Sequence, residues 1–193
     1  TIVTLGLSAS DPMGITQMKF SLDGIIYSPT ETYNTSKSFI LPSPDDVKTV
    51  YVKFMNSMDN WSSAVNNTIT LDTQGPSPCS ISINSGDEYT NSTSVTLTPL
   101  ATDNNGLSKM HFKNENDQNW RDEGDYAGTK SWTLTSGDGG KTVYVQFQDV
   151  AGNWSGTVSA GITLDTQEPQ NPTLSLSDQT SESTDSTDSS TVD

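Results

Sequence analysis

The sequence predicts an all-β fold made of two β-sandwiches in tandem, and three observations support this prediction. Val143, Val145 and Phe147 alternate with polar residues, which is the period of a half-buried strand. The same stretch occurs twice, because residues 48–62 and 141–155 are identical at nine of fifteen positions. Clusters of Gly, Asn and Asp separate the short apolar runs, and no segment has the helical period.

The first copy, residues 1–75, begins at the second strand of the complete copy. Residues 2–20 align with residues 94–112, whereas nothing in the first copy corresponds to residues 79–93. A sandwich without its first strand exposes a sheet edge and part of its core. We therefore expect an open first domain that the boundary of the chain cuts.

The second copy, residues 76–168, contains the whole set of strands. We expect these at about 79–84, 94–101, 107–113, 118–126, 130–135, 142–148 and 157–165. Seven short strands at this spacing predict a β-sandwich of the Ig-like type. The predicted core comprises Ile81, Ile83, Val95, Leu97, Met110, Phe112, Trp132, Leu134, Val143, Val145, Phe147, Ile162 and Leu164.

The last segment, residues 169–193, starts as a third repeat would. Its first eight residues resemble residues 76–83, with Leu174 and Leu176 at the places of Ile81 and Ile83. From about residue 177 the composition is Ser, Thr and Asp. Such a segment cannot bury enough apolar surface to fold, so we expect a disordered acidic tail.

The charge of the chain excludes several classes of partner. Nine basic residues stand against 24 acidic ones, a net charge of −15. Nucleic acids and anionic membrane surfaces favour basic proteins, so we expect neither as a partner. No apolar run reaches the roughly 20 residues that a membrane span needs, so we expect no membrane insertion.

The sequence does not indicate an enzyme. His111 is the only histidine and Cys79 the only cysteine. The chain therefore lacks the several His or Cys ligands of a zinc site, and a histidine-based catalytic triad would have to use His111. His111 lies between Met110 and Phe112, which face the core, so we expect His111 on the surface. The nucleotide-binding glycine motifs are also missing.

A calcium site is the one metal site that the residues suggest. In a seven-strand Ig topology, the incoming linker and two loops meet at one end of the second domain. The linker and these loops would place Asp72, Asp103, Asn105 and Asp149 close together there, with Asn153 beside them. Carboxylate and amide oxygens suit Ca²⁺, but Asp and Asn are also ordinary turn residues. Both interpretations stay open, and we expect no cofactor other than this ion.

Two tryptophans are the candidate ligand contacts, because a loop tryptophan can stack on a sugar ring. Trp154 has a counterpart, Trp61, in an otherwise matching motif, which favours a structural role at the end of the sandwich. Trp120 has no evident aromatic counterpart in the first copy, so it is the better candidate for carbohydrate binding.

Three motifs of the chain resemble the Ig-like or fibronectin-III-like repeats of large bacterial surface and secreted proteins. In chain order they are D-x-x-G-[IL]-S-x-M-x-F, G-D-G-x-K-T-V-Y-V-x-F-x-D-x-A-G-N-W-S and I-T-L-D-T. The wider Ig-like group fits better than strict fibronectin III, because Val143 stands where those domains usually carry a tyrosine. The resemblance implies a non-catalytic extracellular spacer or adhesion module, whose partners are neighbouring repeats, glycans or host and cell-surface proteins. The alternative it implies is a carbohydrate-binding accessory module of a secreted hydrolase.

Overall fold

The computed structural model of the protein describes residues 1–176. The predicted disordered tail, from residue 177 onward, lies outside the described residues. The described part is built of β-strands and one short 3₁₀ turn, Asn84–Gly86. No helix in residues 1–176 is both long and apolar enough to cross a membrane. Below, repeat 1 denotes residues 1–75 and repeat 2 denotes residues 76–168.

Repeat 1 contains a two-stranded and a four-stranded sheet. Its strands are β1 (Ile2–Gly6), β2 (Ile15–Ser21), β3 (Glu31–Thr32), β4 (Ser36–Ile40), β5 (Asp46–Asn56) and β6 (Val65–Leu71). The strand orders are β1-β4 and β3-β2-β5-β6. The two inner faces enclose a core that includes Met18, Phe20, Val52 and Phe54.

Repeat 2 contains the same strands and two more, which come before the counterpart of β1. Its strands are β7 (Cys79–Ile83), β8 (Tyr89–Thr90), β9 (Ser94–Ala101), β10 (Leu107–Asn114), β11 (Arg121–Asp125), β12 (Lys130–Thr133), β13 (Gly139–Asp149) and β14 (Val158–Leu164). The strand orders are β12-β9-β7 and β11-β10-β13-β14-β8. Strand β8 joins β14 in parallel, and all other pairs are antiparallel.

The predicted core of repeat 2 is confirmed. Val143, Val145 and Phe147 alternate along β13 and are 0% exposed, because they face the opposite sheet in the interior of the sandwich. The other predicted core residues are buried as well, except Ile81, which is half-buried against the core. The fold class predicted from the sequence, tandem all-β sandwiches, is therefore the observed one.

Within residues 1–176, repeat 1 leaves one edge of β1 unpaired, as the alignment of the two copies leads us to expect. In repeat 2, β9 pairs with β12 on one edge and with β7 on the other. Its counterpart β1 pairs with β4 alone, and within residues 1–176 no strand occupies its second edge. The consequence is visible in two equivalent isoleucines, since Ile69 is 44% exposed and Ile162 only 4%.

The prediction that His111 lies on the surface is wrong. His111 does point away from the core, but only 9% of it is exposed, because Trp120 and Trp154 cover it on both sides. Gln146, which the alternation also places on the outer face, is half-buried for a related reason. Its side chain bonds to His111 and to the Ser155 carbonyl.

Candidate functional site at the junction of the repeats

The linker after β6 approaches repeat 2 very closely. The backbone N–H of Gln74 donates to Asp72 Oδ1 at 3.0 Å, which is a local Asx-type turn. Gly75 then passes Trp154 so closely that a Cβ there would lie 2.3 Å from the Trp154 carbonyl oxygen. Only glycine fits this contact. The packing of the linker against repeat 2 therefore requires glycine at position 75, directly after the I-T-L-D-T-Q motif of repeat 1.

Asn153 ties this linker to the turn between β13 and β14. Its Nδ2 donates to the carbonyl oxygens of Asp72, at 3.1 Å, and Gln74, at 3.3 Å. The same Nδ2 donates to Asp149 Oδ2 at 2.8 Å, while the Asn153 backbone N–H donates to Asp149 Oδ1 at 2.8 Å. Asn153 thus acts as a hydrogen-bond donor, whereas the sequence suggested it as an oxygen ligand.

Three predicted metal ligands meet at this point. One carboxylate oxygen each from Asp72, Asp103 and Asp149 lies within 4.8 Å of the others. Asp72 comes from the linker, Asp103 from the loop between β9 and β10, and Asp149 from the end of β13. Asp149 is 1% exposed and Asp72 is 9% exposed, whereas Asp103 is half-buried and keeps contact with water.

The fourth predicted ligand, Asn105, is close but presents its amide N–H. Asn105 Nδ2 donates to Asp72 Oδ2 at 2.6 Å. The three carboxylates of Asp72, Asp103 and Asp149 repel one another at this separation, and burial strengthens the repulsion. The amide groups of Asn105 and Asn153 offset part of this repulsion, and a hard divalent cation that prefers oxygen ligands would offset more. The carboxylate set therefore fits Ca²⁺ in its chemistry.

Repeat 1 lacks this concentration of charge at the corresponding end. Asn56 stands at the place of Asp149, and Met13 at the place of Asn105. Asn56 Nδ2 donates directly to Asp11 Oδ2 at 3.3 Å, so an amide–carboxylate hydrogen bond replaces the two facing carboxylates of Asp103 and Asp149. The three-carboxylate group consequently belongs to the junction and is not a general property of the repeat.

The two candidate ligand-binding tryptophans form one stack with His111. The imidazole lies between Trp120, with ring centroids 4.2 Å apart, and Trp154, at 4.0 Å. The ring planes are within 12° of parallel, and His111 Nε2 is 3.1 Å from Gln146 Oε1. Burial in this stack lowers the pKa of His111, against the opposing effects of the Gln146 hydrogen bond and the Glu123 charge.

Repeat 1 builds the same arrangement from different residues. Lys19, the counterpart of His111, places Nζ 4.2 Å from the Trp61 ring centroid and 5.3 Å from that of Tyr27. Tyr27 therefore takes the place of Trp120, contrary to the expectation that Trp120 has no aromatic counterpart. The shift of 93 residues that aligns the later strands also aligns Tyr27 with Trp120, and this was the overlooked signal. In both repeats, one face of each of these tryptophans therefore packs against a side chain of its own repeat.

Comparison with known proteins identifies the fold. No family model matches the sequence, and no curated protein matches it significantly. The structure is similar to the fibronectin(III)-like modules of Clostridium thermocellum CbhA, with 12% identity, a TM-score of 0.52, and coverage of 90% of this chain and 91% of that one. It is also similar to the FN1-FN3 domains of chicken CNTN1, with 10% identity and a TM-score of 0.51. That match covers 84% of this chain and 60% of the other.

These identities support a statement about the fold and nothing finer. The chain has a fibronectin III-like, Ig-like β-sandwich fold, as its motifs predicted. Folds of this kind carry many different functions, so the function of the chain has to be argued from its own residues.

Proposed function

We propose that the chain is a non-catalytic spacer or adhesion segment of a large extracellular bacterial protein. The observation that supports this most directly is the junction, where Gly75 packs against the Trp154 backbone and the Asn153 side-chain amide donates to two linker carbonyls. A linker held in this way limits the relative motion of the repeats, as a stalk requires. The neighbouring repeats are then the first partners, and glycans or host and cell-surface proteins are the partners of the outer surface.

The alternative, a carbohydrate-binding accessory module, receives no specific support. Trp120 and Trp154 both stack on His111, and Lys113 Nζ lies 5.1 Å from the Trp120 ring centroid. A sugar-binding platform needs a free, flat aromatic face, and His111 already occupies one face of each of these tryptophans. The equivalent arrangement in repeat 1 is better explained by stabilisation of the outer sheet face.

The junction suggests how such a stalk is stiffened, namely by Ca²⁺ bound to Asp72, Asp103 and Asp149. Rotation of the Asn105 amide would add an oxygen ligand in place of its donor. Because the ligands come from the linker and from repeat 2, the ion would bind the ordered junction better than a loose one. Binding to the folded state alone stabilises it, by about 2.7 kcal/mol at 100 times the dissociation constant.

The test is the melting temperature of the full chain with and without millimolar Ca²⁺, combined with small-angle scattering. Calcium should raise the melting temperature and make the pair of repeats more extended, and Asp103→Ala should abolish both responses. Asp11→Ala is the matched control, since Asp11 is the counterpart of Asp103 in repeat 1, and this variant should respond as the wild type does. An unchanged melting curve with Ca²⁺ would leave the junction held by hydrogen bonds and packing alone.

A further inference from the structure

The outer face of repeat 1 carries two lysines that lie directly opposite each other. Lys19 of β2 pairs with Lys53 of β5 in the register of the sheet, and their Nζ atoms lie 5.3 Å and 5.0 Å from the centroid of the Tyr27 ring. Neither lysine forms an ion pair with a described residue. Like charges on directly opposite residues destabilise a sheet, so this pair is an uncompensated positive charge on a chain whose net charge is −15.

Repeat 2 shows that the outer face does not need this charge. The residues at the same places, His111 and Gln146, are also directly opposite each other, and their side chains are 3.1 Å apart in a hydrogen bond. Aromatic rings cover the position in both repeats, so the fold accepts a neutral pair there. The two charges of repeat 1 are therefore an addition that the sandwich does not require, and such departures are expected at functional sites.

An exposed aliphatic tip follows β2 in repeat 1. Leu22 is 42% exposed, Ile25 82% and Ile26 76%. Asp23 fixes the tip, because its Oδ1 accepts hydrogen bonds of 2.8 Å from the backbone N–H groups of both isoleucines. A conformation that is fixed before binding lowers the entropy cost of binding a partner. In repeat 2 the aligned residues 114–119 read N-E-N-D-Q-N and include no apolar residue.

The tip and the two lysines form one surface. Gly24 passes the Tyr51 ring so closely that a Cβ there would lie 3.3 Å from it, and Tyr51 extends from the same face of β5 as Lys53. The chain then runs through the isoleucines into Tyr27, whose ring lies against both lysines. An exposed apolar patch marks an interaction site, and the charge beside it selects an acidic partner with an apolar side chain. We call this surface the lysine–isoleucine surface; it comprises Lys19, Leu22, Ile25, Ile26 and Lys53.

Repeat 2 carries a segment of this complementary chemistry. Asp87 and Glu88 lie between the 3₁₀ turn and β8, and Tyr89 begins β8. All three are exposed, Tyr89 by 64%, and no ion pair of the described residues includes either carboxylate. Adjacent Cα atoms are about 3.8 Å apart, so the two carboxylates can face the two ammonium groups while the tyrosine ring covers aliphatic side chains.

The other adjacent acidic residues of the described chain are already engaged. Asp45 accepts hydrogen bonds from the backbone N–H and the hydroxyl of Thr73, and Asp46 accepts one from the next backbone N–H. Glu123 pairs with Lys109 at 2.7 Å. Residues 87–89 therefore combine unpaired acidic charge with an exposed aromatic ring.

We propose that residues 87–89 of one copy of the chain bind the lysine–isoleucine surface of a second copy. The two carboxylates pair with Lys19 and Lys53, and the Tyr89 ring covers the aliphatic tip. No ion pair joins these two surfaces within one chain. Because they lie on different repeats, the contact is heterologous and continues from copy to copy. The inference goes beyond the spacer role, since it gives the repeats a way to cross-link neighbouring molecules.

The first test is sedimentation of the full chain over a range of concentrations at low salt. The wild type should associate as concentration rises, and about 0.5 M NaCl should weaken the association by screening the charges. Lys19→Glu with Lys53→Glu should weaken it at least about 100-fold, because like charges that face each other at an interface are strongly disfavoured. A wild type that stays monomeric at every concentration would overturn the proposal.

A charge exchange between two variants gives the sharper result. Asp87→Lys with Glu88→Lys should also abolish association, because both surfaces of that variant are then basic. Mixed with the Lys19→Glu and Lys53→Glu variant, it should associate again, since each surface now meets its opposite charge. Only folded chains can show this recovery, and a mixture that stays monomeric would contradict the proposed pairing.

The control for net charge is Lys48→Glu with Lys109→Glu, which changes the charge of the chain by the same amount away from the lysine–isoleucine surface. This variant should associate nearly as the wild type does. A loss of association equal to that of the Lys19→Glu and Lys53→Glu variant would show a general effect of charge and overturn the specific contact.

The aliphatic tip is tested without any change in charge. Ile25→Ser with Ile26→Ser keeps the backbone N–H groups that bond to Asp23 and should weaken association about 10-fold, because the apolar area that the Tyr89 ring covers is lost. The melting temperature of this variant should match that of the wild type, since both side chains are exposed. Unchanged association would show that the tip lies outside the contact and contradict the proposed interface.

Discussion

Repeat 1 and repeat 2 share a strand plan and several identical motifs, yet only repeat 2 closes its core. The motif I-T-L-D-T-Q occurs in both, and its isoleucine is 44% exposed in the first copy and 4% exposed in the second. The equivalent leucines of β1 and β9 differ in the same direction, because Leu5 is half-buried and Leu97 is 0% exposed. The local pattern thus decides which face a side chain takes, and a distant strand, β7, decides whether that face is buried.

The largest expected difference between the repeats lies in these isoleucines. Ile162→Ala should destabilise repeat 2 by about 2–5 kcal/mol, as truncations in a closed core do. Ile69→Ala should cost about 1 kcal/mol, because nearly half of Ile69 is already exposed and its truncation leaves no enclosed cavity. Urea unfolding of the full chain, followed by the amide NMR signals of each repeat, measures both. Equal losses of stability would mean that repeat 1 is as closed as repeat 2.

A smaller difference is expected on the outer sheet faces. Gln146 bonds to His111 and donates to the Ser155 carbonyl at 2.9 Å, so Gln146→Ala should cost about 1 kcal/mol. Its counterpart Lys53 lies 5.0 Å from the Tyr27 ring centroid, and Lys53→Ala should cost about 0.5 kcal/mol. The same urea experiment compares them. A larger effect at Lys53 would show that the cationic arrangement of repeat 1 is the stronger of the two.

The smallest expected effect is a histidine-dependent pH dependence, which is confined to repeat 2 because repeat 1 contains no histidine. Burial lowers the pKa of His111 below its ordinary value of 6.5, so the unfolded chain binds the proton first as pH falls. The stabilising contribution is therefore complete above about pH 6.5 and is lost as pH falls from there towards the folded-state pKa. The charged groups close to the stack are Glu123 and Lys113.

An NMR titration of His111 gives its folded-state pKa, and urea unfolding at several pH values gives the dependence of the free energy of unfolding on pH. His111→Gln should remove this histidine-dependent pH dependence from repeat 2 and leave the behaviour of repeat 1 unchanged. A pKa above 6.5 would indicate that the two tryptophan faces stabilise the imidazolium by more than burial disfavours it.

Most of the fold could be predicted from the sequence because strand alternation and the internal repeat are both local patterns. Val143, Val145 and Phe147 show their shared face directly, and the alignment of residues 2–20 with residues 94–112 shows that the two repeats share a strand plan. The burial of His111 could not be predicted in this way. It depends on Trp120 and Trp154, which come from different parts of the chain and meet only on the folded sheet.

The candidate site could be predicted in part for a similar reason. The Ig topology brings Asp72, Asp103 and Asp149 to one end of the sandwich, and they do lie together. The direction of the amides could not be read from residue types, because Asn153 and Asn105 can present either oxygen or N–H. The requirement for Gly75 was hidden as well, since it arises from the Trp154 carbonyl 79 residues later.

The most direct test of the difference between the repeats is amide hydrogen exchange along β1 and β9. Amides on the second edge of residues 4–9 should exchange at least about 100-fold faster than those of residues 96–101, which β7 protects. Equal protection of the two segments would contradict the open edge of repeat 1, and with it the distinction between the repeats.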